Sequence, residues 1–114
     1  MKNKLVFFGN ERLSTGQTTN APTLQALIAK GYEITAVVAH HEAARSRKSR
    51  ELEIEAVAQK HNIPVLTPSR PIEIKNQLVA MGAQAGVLVA YGRIIPQEII
   101  DIFPRGIINI HPSL

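Results

Sequence analysis

Cysteine is absent from the 114 residues, which excludes a disulfide framework and any thiolate metal or redox centre and suits a reducing compartment. Aspartate is almost absent as well. Asp101 is the only one, so a phospho-receiver site, which needs several strand-end aspartates, cannot be built. No apolar run approaches the roughly 20 residues that span a bilayer. Leu5, Val6, Phe7 and Phe8 follow Lys2 and Lys4 but stop at Gly9, too short for the apolar region of a secretory signal. The expectation is a cytoplasmic chain with no membrane partner. Two glycine fingerprints are also missing. Gly9 and Gly16 are too far apart for G-x-G-x-x-G, and no Gly-Lys-Ser or Gly-Lys-Thr follows the first apolar run, which argues against nicotinamide cofactors and P-loop nucleotides.

What is present is enough for one folded domain. Apolar residues make up 45% and charged residues 19% of the chain, whereas a disordered chain would lack the apolar area that offsets ordering entropy. The net charge of +4 is concentrated locally: His40 to Arg50 holds Arg45, Arg47, Lys48 and Arg50 against Glu42 alone.

Short runs rich in Val, Ile and Phe alternate with longer stretches of helical period, the pattern of repeated strand-helix units around a parallel sheet. The sequence predicts strands at Lys4 to Phe8, Glu33 to Ala39, Pro64 to Thr67, Ala85 to Ala90 and Gly106 to His111. The fourth is the most apolar and is expected at the centre. Helices are predicted over Pro22 to Lys30, with Leu24, Leu27 and Ile28 on one face, and over Arg50 to His61, with Ile54, Val57 and Ala58. Two more are predicted over Arg70 to Met81, with Ile74, Leu78 and Met81, and over Pro96 to Ile102, with Ile99, Ile100 and Ile102. The fold class is therefore α/β, a Rossmann-like open parallel sheet of about five strands with helices on both faces.

Three features stand out from that frame. The connection Gly9 to Ala21 exceeds the usual 2 to 6 residues between strand and helix. His40 and His41 are adjacent, so on a strand they face opposite sides and do not share a metal; no metal site is expected. Arg45, Arg47, Lys48 and Arg50 make either a solvated loop or a nucleic-acid phosphate contact.

The most informative segments are Ala90-Tyr91-Gly92-Arg93-Ile94-Ile95-Pro96 and Ile107-Ile108-Asn109-Ile110-His111-Pro112-Ser113-Leu114. Asn109 and His111 are two apart on a strand, so they share a face at its carboxyl end, where open α/β sheets bind ligands. With Lys4-Leu5-Val6-Phe7-Phe8-Gly9, Pro22-Thr23-Leu24-Gln25-Ala26-Leu27 and His61-Asn62-Ile63-Pro64-Val65-Leu66, these stretches resemble the folate-dependent formyltransferases, the methionyl-tRNA formyltransferases in particular. The resemblance departs at Gly9 to Ala21, where that family has a shorter Gly-Thr-Pro turn.

The resemblance carries a set of expectations. Residues 1–114 would be the N-terminal part of the family's catalytic domain, stopping before a Leu-Pro-x-Tyr-Arg-Gly stretch and the family's catalytic aspartate. Asn109 and His111 would be catalytic, donating hydrogen bonds to the oxygen that becomes negative as a formyl group moves to an amine. Tyr91, Gly92, Arg93, Ile94 and Ile95 would bind the pterin of 10-formyltetrahydrofolate, the formyl donor. With strand order 3-2-1-4-5, Gly9, Asn10, Tyr91 and Asn109 would line a crevice at the topological switch point. Arg45, Arg47, Lys48 and Arg50 match a family insertion that contacts initiator methionyl-tRNA. Phosphoribosylglycinamide and sugar-amine formyltransferases are alternative enzymes, although the former should carry Gly-Ser-Asn where this chain has Gly9-Asn10-Glu11-Arg12. A non-catalytic folate- or RNA-binding remnant is the remaining alternative. Alone, the chain is expected to self-associate or to need a complementing C-terminal fragment, and not to transfer formyl groups.

Overall fold

The computed structural model describes residues 3–9, 21–40 and 53–110. Five parallel strands form one sheet: β1 (Lys4–Gly9), β2 (Glu33–Val38), β3 (Val65–Leu66), β4 (Ala85–Val89) and β5 (Ile107–Ile110), in the order β3-β2-β1-β4-β5. The chain builds outward from β1 in one direction, then returns to β1's other side to lay down β4 and β5. Parallel crossovers of one hand then place the helices of the two halves on opposite faces. The order is the one expected, with one correction. β1, not β4, takes the centre, because the reversal of direction happens beside it.

Helices α1 (Pro22–Ala29) and α2 (Glu53–Lys60) cover one face. Leu24, Ile54 and Ala58 are buried there against Leu5, Phe7, Val37, Val87 and Val89, with Leu27, Ile28 and Val57 packed at the margin. Pro22 suits a first turn, where its missing N–H is not needed. The other face carries a 3₁₀ turn (Pro71–Ile74), α3 (Lys75–Met81) and α4 (Gln97–Ile100). Ile74, Leu78, Ile99 and Phe103 pack there on Val6, Phe8 and Val38. The helix expected over Arg70 to Met81 is thus divided. Glu73 accepts from the backbone N–H groups of Ser69 and Arg70 at 3.1 and 3.4 Å, holding the entry as a tight turn before α3 begins. The helix expected over Pro96 to Ile102 shortens to α4, and β3 shortens to two residues. Residues 50 to 52 of the expected second helix, and His111 of the expected fifth strand, lie outside the described residues.

Two departures from strict alternation position the upper edge of the sheet. In β2, Leu5 pairs with Ile34 and Val6 with Ala36, so Thr35 faces no residue of β1; its hydroxyl donates to the Leu5 carbonyl at 3.2 Å. Ile34 therefore shares a face with Val37 and Ala39, while Val38 turns to the other. In β4, alternation would send Tyr91 to the α1–α2 face with Val87 and Val89. Ala90 instead adopts a left-handed conformation (φ 51°), and the Tyr91 ring enters the α3–α4 face.

Candidate functional site

The carboxyl ends of the strands gather the chain's chemistry at one edge: Gly9 closing β1, His40 just beyond β2, Tyr91 to Pro96 after β4, and Asn109 in β5. Gly9 has to be glycine. Its φ is 147°, and a Cβ there would lie 1.8 Å from the Val89 carbonyl oxygen, so any side chain at this position would collide with the β4 backbone.

The segment after β4 is fixed at both ends and open in the middle. Tyr91 is 2% exposed, its ring edge-on to Phe8 at 5.9 Å. Ile95 packs against the same core. Between them Gly92, Arg93 and Ile94 are exposed, Gly92 with a left-handed φ of 82° and Ile94 with 89% of its surface in solvent. Among the described residues, no backbone hydrogen bond uses the N–H groups of Gly92, Arg93, Ile94 or Ile95. Main-chain donors left unengaged among the described residues, beside an exposed isoleucine, offer polar and apolar contacts side by side.

Tyr91 does not contribute its side chain to that surface. The phenol oxygen is buried, with no hydrogen-bond partner among the described residues. Burial pushes its pKa above the usual tyrosine value, and the nearby Arg93 charge partly opposes this. Tyr91 holds the segment down from below. Arg93 is tied from the side: its Nε–H donates to Nδ1 of His40 at 3.3 Å. That contact is invisible to sequence reasoning, which considers His40 only as a metal ligand; the one available signal is its place at the carboxyl edge of a strand.

Asn109 pairs with Leu88 in the sheet register, is exposed, and lies on the face that carries Tyr91. His111, Asn10, Arg45, Arg47, Lys48 and Arg50 lie outside the described residues. Among the described residues no group of three or more His, Asp or Glu side chains could hold a metal ion, and no helix is long and apolar enough to cross a membrane.

An open parallel sheet in the order β3-β2-β1-β4-β5, with helices on both faces, defines an α/β protein of the doubly wound class. The formyl transferase family model matches residues 3–114, and the chain belongs to that family. It is 39% identical over 115 residues to a methionyl-tRNA formyltransferase of Nitrobacter winogradskyi, covering 97% of this chain and 35% of that protein. A methionyl-tRNA formyltransferase of Methylobacterium sp. is 36% identical over 118 residues, covering 100% of this chain and 36% of its own length. The chain thus spans about a third of the length of the curated relatives it matches. Among solved structures, glycinamide ribonucleotide transformylase 1 from Geobacillus kaustophilus superposes with a TM-score of 0.63 at 24% identity, covering 100% of this chain and 60% of that one. This last likeness concerns the fold.

Proposed function

We propose that this chain supplies the donor-binding part of a site that transfers a formyl group from 10-formyltetrahydrofolate to the amino group of initiator methionyl-tRNA. The observation that carries the reading is the Gly92 to Ile95 segment, whose backbone N–H groups are unengaged among the described residues and whose Ile94 side chain is 89% exposed. The donor supplies an activated formyl carbon. The chain's task is to hold the pterin flat against Ile94, with its polar edge on the main chain of Gly92 to Ile95. Asn109 stands on the neighbouring strand, where its amide N–H can donate to the oxygen on which charge develops. His111, two residues on, would provide a second donor or handle the proton leaving the amine. Arg45, Arg47, Lys48 and Arg50 would engage tRNA phosphates, and identity with methionyl-tRNA formyltransferases favours that acceptor over a ribonucleotide amine.

Ile94→Asp tests the reading cleanly, because a side chain so exposed contributes little to the fold. Calorimetric titration of the chain with 5-formyltetrahydrofolate should show affinity at least about tenfold lower in the variant, the loss expected when an apolar contact is replaced by a charge. Equal affinity in wild type and variant would remove this segment from the donor site.

A further inference from the structure

The Gly92 to Ile95 segment needs something other than its own backbone to hold its shape. Ala90 and Gly92 both have positive φ, at 51° and 82°, so the chain makes two left-handed steps on either side of Tyr91. Beyond the buried ring, Gly92, Arg93 and Ile94 stand in solvent until Ile95 returns to the core. Among the described residues, the single side-chain hydrogen bond that engages residues 92 to 95 is the one from Arg93 to His40. His40 and Arg93 follow β2 and β4, which lie on opposite sides of β1. With strands about 4.8 Å apart, the contact bridges roughly 10 Å across the topological switch point. His40 is half-buried, so the bridge has one anchored end.

The chemistry of the contact is directional. A guanidinium only donates, so Nδ1 of His40 must be the acceptor and the neutral ring keeps its proton on Nε2. Any replacement at position 40 with an acceptor at similar reach can substitute; an apolar one cannot.

We propose that His40 is a positioning residue for the donor-binding segment: by accepting from Arg93 it fixes Gly92 to Ile95 in the conformation that receives the folate. This rests on the donor reading given above. In this role His40 acts through Arg93 rather than on the formyl group or the amine.

The test combines backbone amide relaxation by NMR with 5-formyltetrahydrofolate titration on the full chain. His40→Ala should lower the order parameters of Gly92 to Ile95 from the rigid-backbone value of about 0.85 to below about 0.6. Affinity should weaken by about threefold to tenfold, the range for one ordinary solvent-exposed hydrogen bond. His40→Gln, whose amide oxygen can accept from Arg93, should restore both. Arg93→Leu should reproduce the loss of order, and combining it with His40→Ala should add nothing further. Unchanged order parameters in His40→Ala, or no recovery in His40→Gln with normal circular dichroism, would overturn the proposal. So would a change in order without a change in affinity. Failure of the wild-type chain to bind 5-formyltetrahydrofolate would instead sink the donor reading, while the relaxation data would still decide whether His40 orders the segment.

Discussion

Tyr91→Phe deletes one oxygen that finds no hydrogen-bond partner among the described residues. The ring is 2% exposed, meets Phe8 edge-on at 5.9 Å, and carries a buried hydroxyl without a hydrogen-bond partner among the described residues. Leaving a buried polar group unpaired costs about 1–3 kcal/mol. Phenylalanine keeps the ring contact and removes the cost, so the variant should be more stable by about 1 kcal/mol, the low end allowing for local relaxation. For a domain near this size that corresponds to roughly 4–8 °C in melting temperature. The same site makes a second, pH-dependent claim. Burial raises the folded-state pKa of Tyr91 above the ordinary 10.0, so its proton is retained in the folded chain after the unfolded chain has begun to lose it. Stability from this group is therefore fully present below pH 10 and falls as the pH rises beyond it. Urea midpoints measured at pH 8 and at pH 10.5 for wild type and variant isolate the effect, because every other titrating group is common to both. The wild type should lose more stability over that interval. A variant destabilised by 1 kcal/mol or more, or identical alkaline losses in the two proteins, would refute the reasoning.

Gly9→Ala should destabilise by more than about 3 kcal/mol in urea unfolding, since the new Cβ would sit 1.8 Å from the Val89 carbonyl oxygen at a φ of 147°. A chimera joining residues 1–110 to the remainder of a methionyl-tRNA formyltransferase allows turnover to be measured. In it, Asn109→Ala should lower turnover about 100- to 1000-fold with little change in folate affinity, and near-normal turnover would remove Asn109 from catalysis. Replacing Arg45, Arg47 and Lys48 with alanine should weaken tRNA binding and flatten its salt dependence; an unchanged slope in filter binding would leave them as a solvated loop. The β5 strand has no neighbour beyond it among the described residues, and Ile108 is 58% exposed. Residues 1–114 expressed alone should therefore self-associate in sedimentation, less so with Ile108→Lys.

Most of the fold was legible because its determinants are local. The Val-, Ile- and Phe-rich runs and the faces Leu24-Leu27-Ile28 and Ile54-Val57-Ala58 marked strands and helices whose burial the structure reproduces. The strand order followed from family resemblance and from the way open sheets reverse direction. What escaped was set by single backbone choices. Ala90 in a left-handed conformation sends Tyr91 into the core, and alanine gives no compositional warning of it. Pro71 and Glu73 tighten the start of a stretch whose apolar spacing reads as one continuous helix. At the site, the Asn-x-His spacing singled out Asn109. The contact between His40 and Arg93 did not show, because 53 residues separate the pair and only the folded sheet brings them together.

Thr35 illustrates how a distant step can aim a side chain at the carboxyl edge of the sheet. A strand is a two-state counter: each residue flips the side that the next one serves, and a residue that faces no partner adds a flip without adding a pair. All five residues after Thr35, from Ala36 to His40, inherit that extra flip. Continued through Ala39, whose N–H still bonds the Leu66 carbonyl at 2.9 Å, the count puts His40 on the side of Val38, the side that also holds Tyr91. Had β2 kept step with β1, the imidazole would have been turned away from Arg93. Shortening β2 by one residue at this point should therefore undo the His40 bridge while leaving every atom near Arg93 chemically unchanged.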